Sequence, residues 1–140
     1  MASPADLVPR WLRIVVGLLG LVNIAYGLIG YFSITSLYHD TTLIDTTNPV
    51  LRIASYEFSA RNLAIGIALA VVTFIGAPKS IAIVILIRIL IDAQSIMIDI
   101  AMGKPGFDMM LAIFFFVLEV FLFISLSKVI KKEEALAAKG

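Results

Sequence analysis

The chain has no cysteine, which excludes disulfides, thiolate metal sites, iron–sulfur ligation and thiol nucleophiles. Histidine is nearly absent too: His39 stands alone, near Asp40 and Asp45 in a polar segment. A metal site needs more ligands at defined spacing, so His39 reads as a solvated loop residue, and neither a metal nor a cofactor is expected. Charge is scarce, at 15% of residues with a net charge of +1. No face has the Lys and Arg needed to neutralise a run of phosphates, which argues against nucleic acid as a partner. Glycine-rich phosphate loops are missing as well.

What fills the chain instead is apolar. Hydrophobic residues make up 61% of the 140 positions and the mean hydropathy is +1.04, far from the roughly half apolar, quarter charged make-up of soluble domains. This predicts an all-α polytopic membrane protein, a bundle of four transmembrane helices around a polar interior cavity. By length it is one integral membrane domain, residues 1–140, with spans at about 11–32, 51–76, 81–102 and 107–127. The leading MASPADLVPR is too polar, and the apolar run after it too long, for a cleaved signal peptide, so the first span is read as retained. Residues 33–50 form the one long connection, and its apolar Ile34, Leu37, Tyr38, Leu43 and Ile44 predict a structured cap over the mouth of the bundle.

The third span, Ile81 to Met102, holds Arg88, Asp92, Gln94, Ser95 and Asp99, although charge at membrane depth is costly and normally faces a protein interior, a partner or water. Arg88, Asp92, Ser95 and Asp99 fall at i, i+4, i+7 and i+11 and so form one stripe on a helix. The opposite face, with Ile83, Leu86, Ile87, Leu90 and Ile91, is aliphatic and suits lipid or tight packing. In the first span Gly20, Asn23, Gly27 and Gly30 share a face that allows a neighbouring helix to come close, and in the second Ala64, Gly66, Ala68 and Ala70 again favour close helix contact. The second span also carries Glu57 and Arg61, an i, i+4 pair of opposite sign, followed by Asn62. Gly76 and Pro78, and then Gly103 to Gly106, predict short turns on either side of the third span.

Arg10, Arg13, Lys79, Lys128, Lys131 and Lys132 fall at one set of span ends, and Arg52 and Lys104 at the other. By the excess of cations on cytoplasmic loops, both termini are expected in the cytoplasm and the cap outside. The closing KKEEALAAKG reads as a solvated helical end or a disordered tag.

Four acids are expected at membrane depth, Glu57, Asp92, Asp99 and Glu119, against two cations, Arg61 and Arg88. Two arginines cannot neutralise four carboxylates, so at least one acid is expected to hold a proton. A protonated and an ionised carboxyl sharing one pocket are the parts of general acid–base work or of a proton relay. Asp92 and Glu119 read as the deepest, with Glu57 as a third catalytic candidate. Arg61 and Arg88 would hold an oxyanion or tune the acids, and Asp99, Asn23, Asn62 and Tyr26 are candidates for the ligand-binding wall. Tyr26, Tyr31 and Tyr56 suit interfacial anchoring as well. Against this stands a purely structural role, in which Glu57 with Arg61 and Arg88 with Asp92 clamp the bundle; Glu119 has no cation within one turn and fits that role less well.

The second-span run EFSARNLAIGIALA, with Arg88, Asp92 and the closing GKPG turn, resembles the DoxX-like group of small four-helix bacterial membrane proteins over some 50 residues. Members are variously linked to quinone-associated respiration and to sulfur or redox tasks, so the resemblance implies a fold more than an activity. The general arrangement is also similar to sterol-isomerase-like and sigma-receptor-like bundles, in which buried acids face a lipophilic ligand. Three functions are therefore weighed. The first is an intramembrane protein that binds an isoprenoid, sterol, quinone or similar lipophile and transforms it as an isomerase, cyclase or hydrolase. The second is a proton-coupled transporter, which would need to form a homo-oligomer. The third is an accessory subunit of a membrane complex. Partners are membrane lipid and the lipophilic ligand. No inverted repeat and no Gly/Pro-broken helix favours transport.

Overall fold

The computed structural model describes residues 7–33, 47–101, 103 and 107–138, with residues 107 and 108 described in the backbone only. The chain is all-helical: α1 runs Arg10–Phe32, α2 Pro49–Ile75, α3 Pro78–Ala101 and α4 Phe107–Ala137. All four are long and apolar enough to cross a membrane. Only 17% to 33% of each apolar stretch is buried within the protein, and residues such as Leu21, Phe74, Ile83, Leu90 and Phe114 point outward. Lipid is the solvent that covers such a surface, and the chain is an integral membrane protein.

Local chemistry sets the helix ends. Asn48 caps α2, its Oδ1 accepting a hydrogen bond from the Val50 amide at 2.9 Å, with Pro49 in the first helical position where no amide hydrogen is needed. Gly76 closes α2 at φ 72°, its amide donating to the Val72 carbonyl at 2.9 Å, and Pro78 starts α3 two residues later. Gly103, at φ 64°, follows the end of α3 in the same way. The expected turn at Gly76 and Pro78 is therefore in place, and of the second expected turn Gly103 is described. The cap expected over 33–50, with His39, Asp40 and Asp45, falls for residues 34–46 outside the described residues, as do Lys104, Pro105 and Gly106.

The fourth helix runs past its expected span, and of the two readings of the tail the structure has the helical end. It continues ten residues beyond Ser127 to Ala137, at 1.5 Å per residue about 46 Å in all, against a hydrocarbon core of about 30 Å. Lys, Glu, Ala and Leu are good helix formers in water, so the end of the apolar run does not end the helix. Lys79 Nζ meets Glu134 Oε1 at 2.9 Å in this extension, with both side chains exposed.

The chain divides into two compact units, Ile14–Val71 and the remainder. In the first, α1 and α2 run antiparallel at very short range. A Cβ on Gly27 would lie 2.8 Å from the Leu63 amide nitrogen, and one on Gly66 would lie 2.7 Å from the Ile24 nitrogen and 2.8 Å from the Gly20 carbonyl oxygen. The small-residue faces thus let the two backbones touch, which is how helices associate without a hydrophobic driving force between them. Ser55 Oγ donates to the Gly30 carbonyl at 3.5 Å, and Tyr31 stacks on Tyr56 with ring centres 5.8 Å apart.

In the second unit α3 and α4 pack antiparallel. Ile81, Ile85, Arg88 and Asp92 are the buried seam of α3, at i, i+4, i+7 and i+11. Glu119, Leu122 and Leu126 are that of α4, at i, i+3 and i+7. On the aliphatic face of α3, Ile83, Leu86, Ile87 and Leu90 are exposed and Ile91 is half-buried.

Candidate functional site

Arg88 lies at the centre of the α3–α4 seam. Its Nη2 donates to Asp92 Oδ2 at 3.0 Å, one turn along the same helix, and its Nε donates to Glu119 Oε1 at 2.9 Å, across to α4. All three residues are buried, Glu119 completely. Arginine stays charged in any protein environment, so one ionised carboxylate balances Arg88, and a proton on the other carboxyl leaves the cluster neutral. Charge-assisted bonds of this length are the strong class. The two arms of a single guanidinium use the planar fork that makes arginine, and not lysine, able to hold two carboxylates at once.

Glu119 Oε2 is buried and accepts no hydrogen bond among the described residues; Glu133 Oε2 is the other such oxygen. A buried acceptor without a donor costs about 1–3 kcal/mol, more when charged. Glu119 therefore has one oxygen committed to Arg88 and one open to a proton or to a donor on another molecule. Ser95 and Asp99 continue the α3 stripe and are half-buried, with Ser95 Oγ donating to the Ile91 carbonyl at 3.1 Å. Gln94 is exposed.

The remaining candidates lie in the Ile14–Val71 unit. Asn23 is buried, its Nδ2 donating to the Leu19 carbonyl at 2.8 Å, and Asn62 donates likewise to Phe58 at 2.8 Å. Tyr26 is 39% exposed. Glu57 and Arg61 are both exposed, and the expected ion pair between them is absent among the described residues. Arg61 instead rests over the Phe58 ring at 5.8 Å. Among the described residues, no three His, Asp or Glu side chains gather as a metal site would require.

Sequence reading left Glu119 without a cation, and the structure supplies Arg88. A signal was present: Arg88 lies 15 residues before Gly103 and Glu119 16 residues after it. Two antiparallel helices of equal rise joined by a tight turn bring such residues level with each other.

No family model matches the sequence, and no curated protein or solved structure matches the chain.

Proposed function

We propose that the protein binds a lipophilic small molecule within the membrane and works on it by acid–base chemistry. Glu119 and Asp92 are its proton-exchanging carboxyls, and Arg88 positions both. The observation that carries this reading is the open Glu119 Oε2, an acceptor at membrane depth with no donor among the described residues. Intramembrane ionisable groups of this kind mark ligand or proton sites more often than packing. The ligand class is an apolar body with one hydroxyl, carbonyl or amine head, which could donate to Oε2 or exchange a proton with it. The DoxX-like resemblance adds quinones to the isoprenoids and sterols to be screened.

Native mass spectrometry of the detergent-purified protein tests this. The wild type is expected to retain a lipophilic adduct and Glu119→Gln to lose it while staying folded. Removing Glu119's charge leaves Arg88 balanced by Asp92, so no buried charge is stranded, and the amide oxygen still accepts from Nε. The stability change is expected to stay near 1 kcal/mol. No adduct on the wild type, or equal retention by Glu119→Gln, defeats the ligand reading and favours a clamp that ties α3 to α4.

The distribution of Lys and Arg also supports both termini on the cytoplasmic side. With no native cysteine, single cysteines at Ser36 and Lys131 are the sole thiols in their variants. An impermeant thiol reagent on sealed cells should label the first and not the second; labelling of both from one side rejects this topology.

A further inference from the structure

The two directions leading away from the Arg88, Asp92 and Glu119 cluster are unlike each other. Toward Pro78 the seam is apolar and closed, since Ile81 and Ile85 on α3 and Leu122 and Leu126 on α4 are all completely buried. Toward Ala101 the α3 stripe stays polar through Ser95 and Asp99, both half-buried. On the α4 side of that direction Ala112, Phe115 and Phe116 are also only half-buried. Asp92, Ser95 and Asp99 are spaced by one helical turn at each step, about 5–6 Å between side chains. That is a distance one hydrogen-bonded water can bridge, and the whole path from Asp92 to Asp99 rises about 10 Å. Asp99 is two residues from the Ala101 end of α3. Asp92, at the inner end of this path, shares Arg88 with Glu119, whose buried Oε2 accepts no hydrogen bond among the described residues.

We propose that the acid–base cluster exchanges protons with one side of the membrane only, the side of the Ala101 end of α3, through Ser95 and Asp99. The proposal rests on the reading of the cluster as an acid–base site. In one exchange Asp99 takes a proton from water at the helix end, the proton passes along the path to Asp92 or Glu119, and the same path returns it, so the cluster ends each cycle in its starting charge state. Isoleucine and leucine offer no hydrogen-bonding group on the opposite side, so no proton leaves that way. Through-membrane proton transport by a single copy of the chain is then excluded by design, and the lipophilic ligand arrives from the bilayer.

Single cysteines test the asymmetry without any ligand, so the result stands apart from whether an adduct is retained. Ser95→Cys is close to isosteric. In sealed vesicles, Lys104→Cys and Lys131→Cys mark the two sides for a small, water-soluble cationic thiosulfonate. Ser95→Cys is expected to be labelled from the Lys104 side and to stay unlabelled from the Lys131 side. Ile85→Cys, or Leu122→Cys if the first does not fold, is expected to resist labelling from both. Adding Asp99→Asn should slow the cationic reagent at Ser95→Cys and leave a neutral reagent of equal size unchanged. Labelling of Ser95→Cys from the Lys131 side or from neither side, or labelling of Ile85→Cys as fast as Ser95→Cys, would overturn the proposal.

Discussion

Replacing Arg88 with methionine is expected to lower the stability of the protein in detergent by about 3–5 kcal/mol, the loss typical of a buried ionic group deprived of its partner. Methionine fills similar space, so the effect is not one of a cavity. It leaves Asp92 and Glu119, previously joined through one guanidinium, as two buried carboxylates of like charge with nothing between them. Arg88→Lys should lie between the two, because an ammonium supplies the charge without the fork that reaches Oδ2 and Oε1 together. The triple change Arg88→Met, Asp92→Asn, Glu119→Gln removes every charge at once and should recover most of the loss, since replacing a whole buried ionic group is often nearly neutral. Thermal unfolding of the four proteins measures this, and the single and triple changes are strongly non-additive if the cluster acts as one unit. An Arg88→Met protein as stable as wild type would mean that the guanidinium does not hold the two acids.

The contrast between two identical spacings shows what the sequence could and could not convey. Glu57–Arg61 and Arg88–Asp92 are both i, i+4 pairs of opposite charge, and spacing alone treats them alike. Among the described residues only the second closes, in the buried seam of α3. Glu57 and Arg61 are exposed on α2. Spacing tells which groups can meet on a helix, but not which face of the helix the fold buries. The four helices themselves were legible, since each is an apolar run of membrane length, and Gly76, Pro78 and Gly103 mark their ends with residues whose backbone preferences are narrow. The extension of α4 was legible only as one of two readings, a solvated helical end or a disordered tag, because Lys131, Lys132, Glu133 and Glu134 signal the end of an apolar run without signalling the end of a helix. The Arg88–Glu119 contact lay between these cases: no motif carries it, but the register across a tight turn does.

A leucine at Gly66 is expected to break the α1–α2 pairing and to cost about 3 kcal/mol or more, at or beyond the upper end of ordinary overpacking. The first added carbon would already meet the Ile24 nitrogen at 2.7 Å and the Gly20 carbonyl oxygen at 2.8 Å. Both are backbone atoms, so no side chain can rotate away, and the clash is relieved only if one helix shifts along its length. A shift large enough to admit the new side chain also opens the contacts at Gly27, where the backbone of α2 comes equally close. Working in the opposite direction is helix propensity, since leucine is the better helix former by somewhat under 1 kcal/mol. That gain is too small to reverse the sign. In lipid the loss is felt in full, because helix association there depends on close packing and not on the expulsion of water. Ala64→Leu, two residues away on an exposed face of the same helix, adds similar bulk with no backbone in its way and should leave stability within about 0.5 kcal/mol of wild type. Thermal unfolding of both variants in one detergent makes the comparison, and Gly66→Leu melting together with Ala64→Leu would show that the two backbones are not in contact at this point.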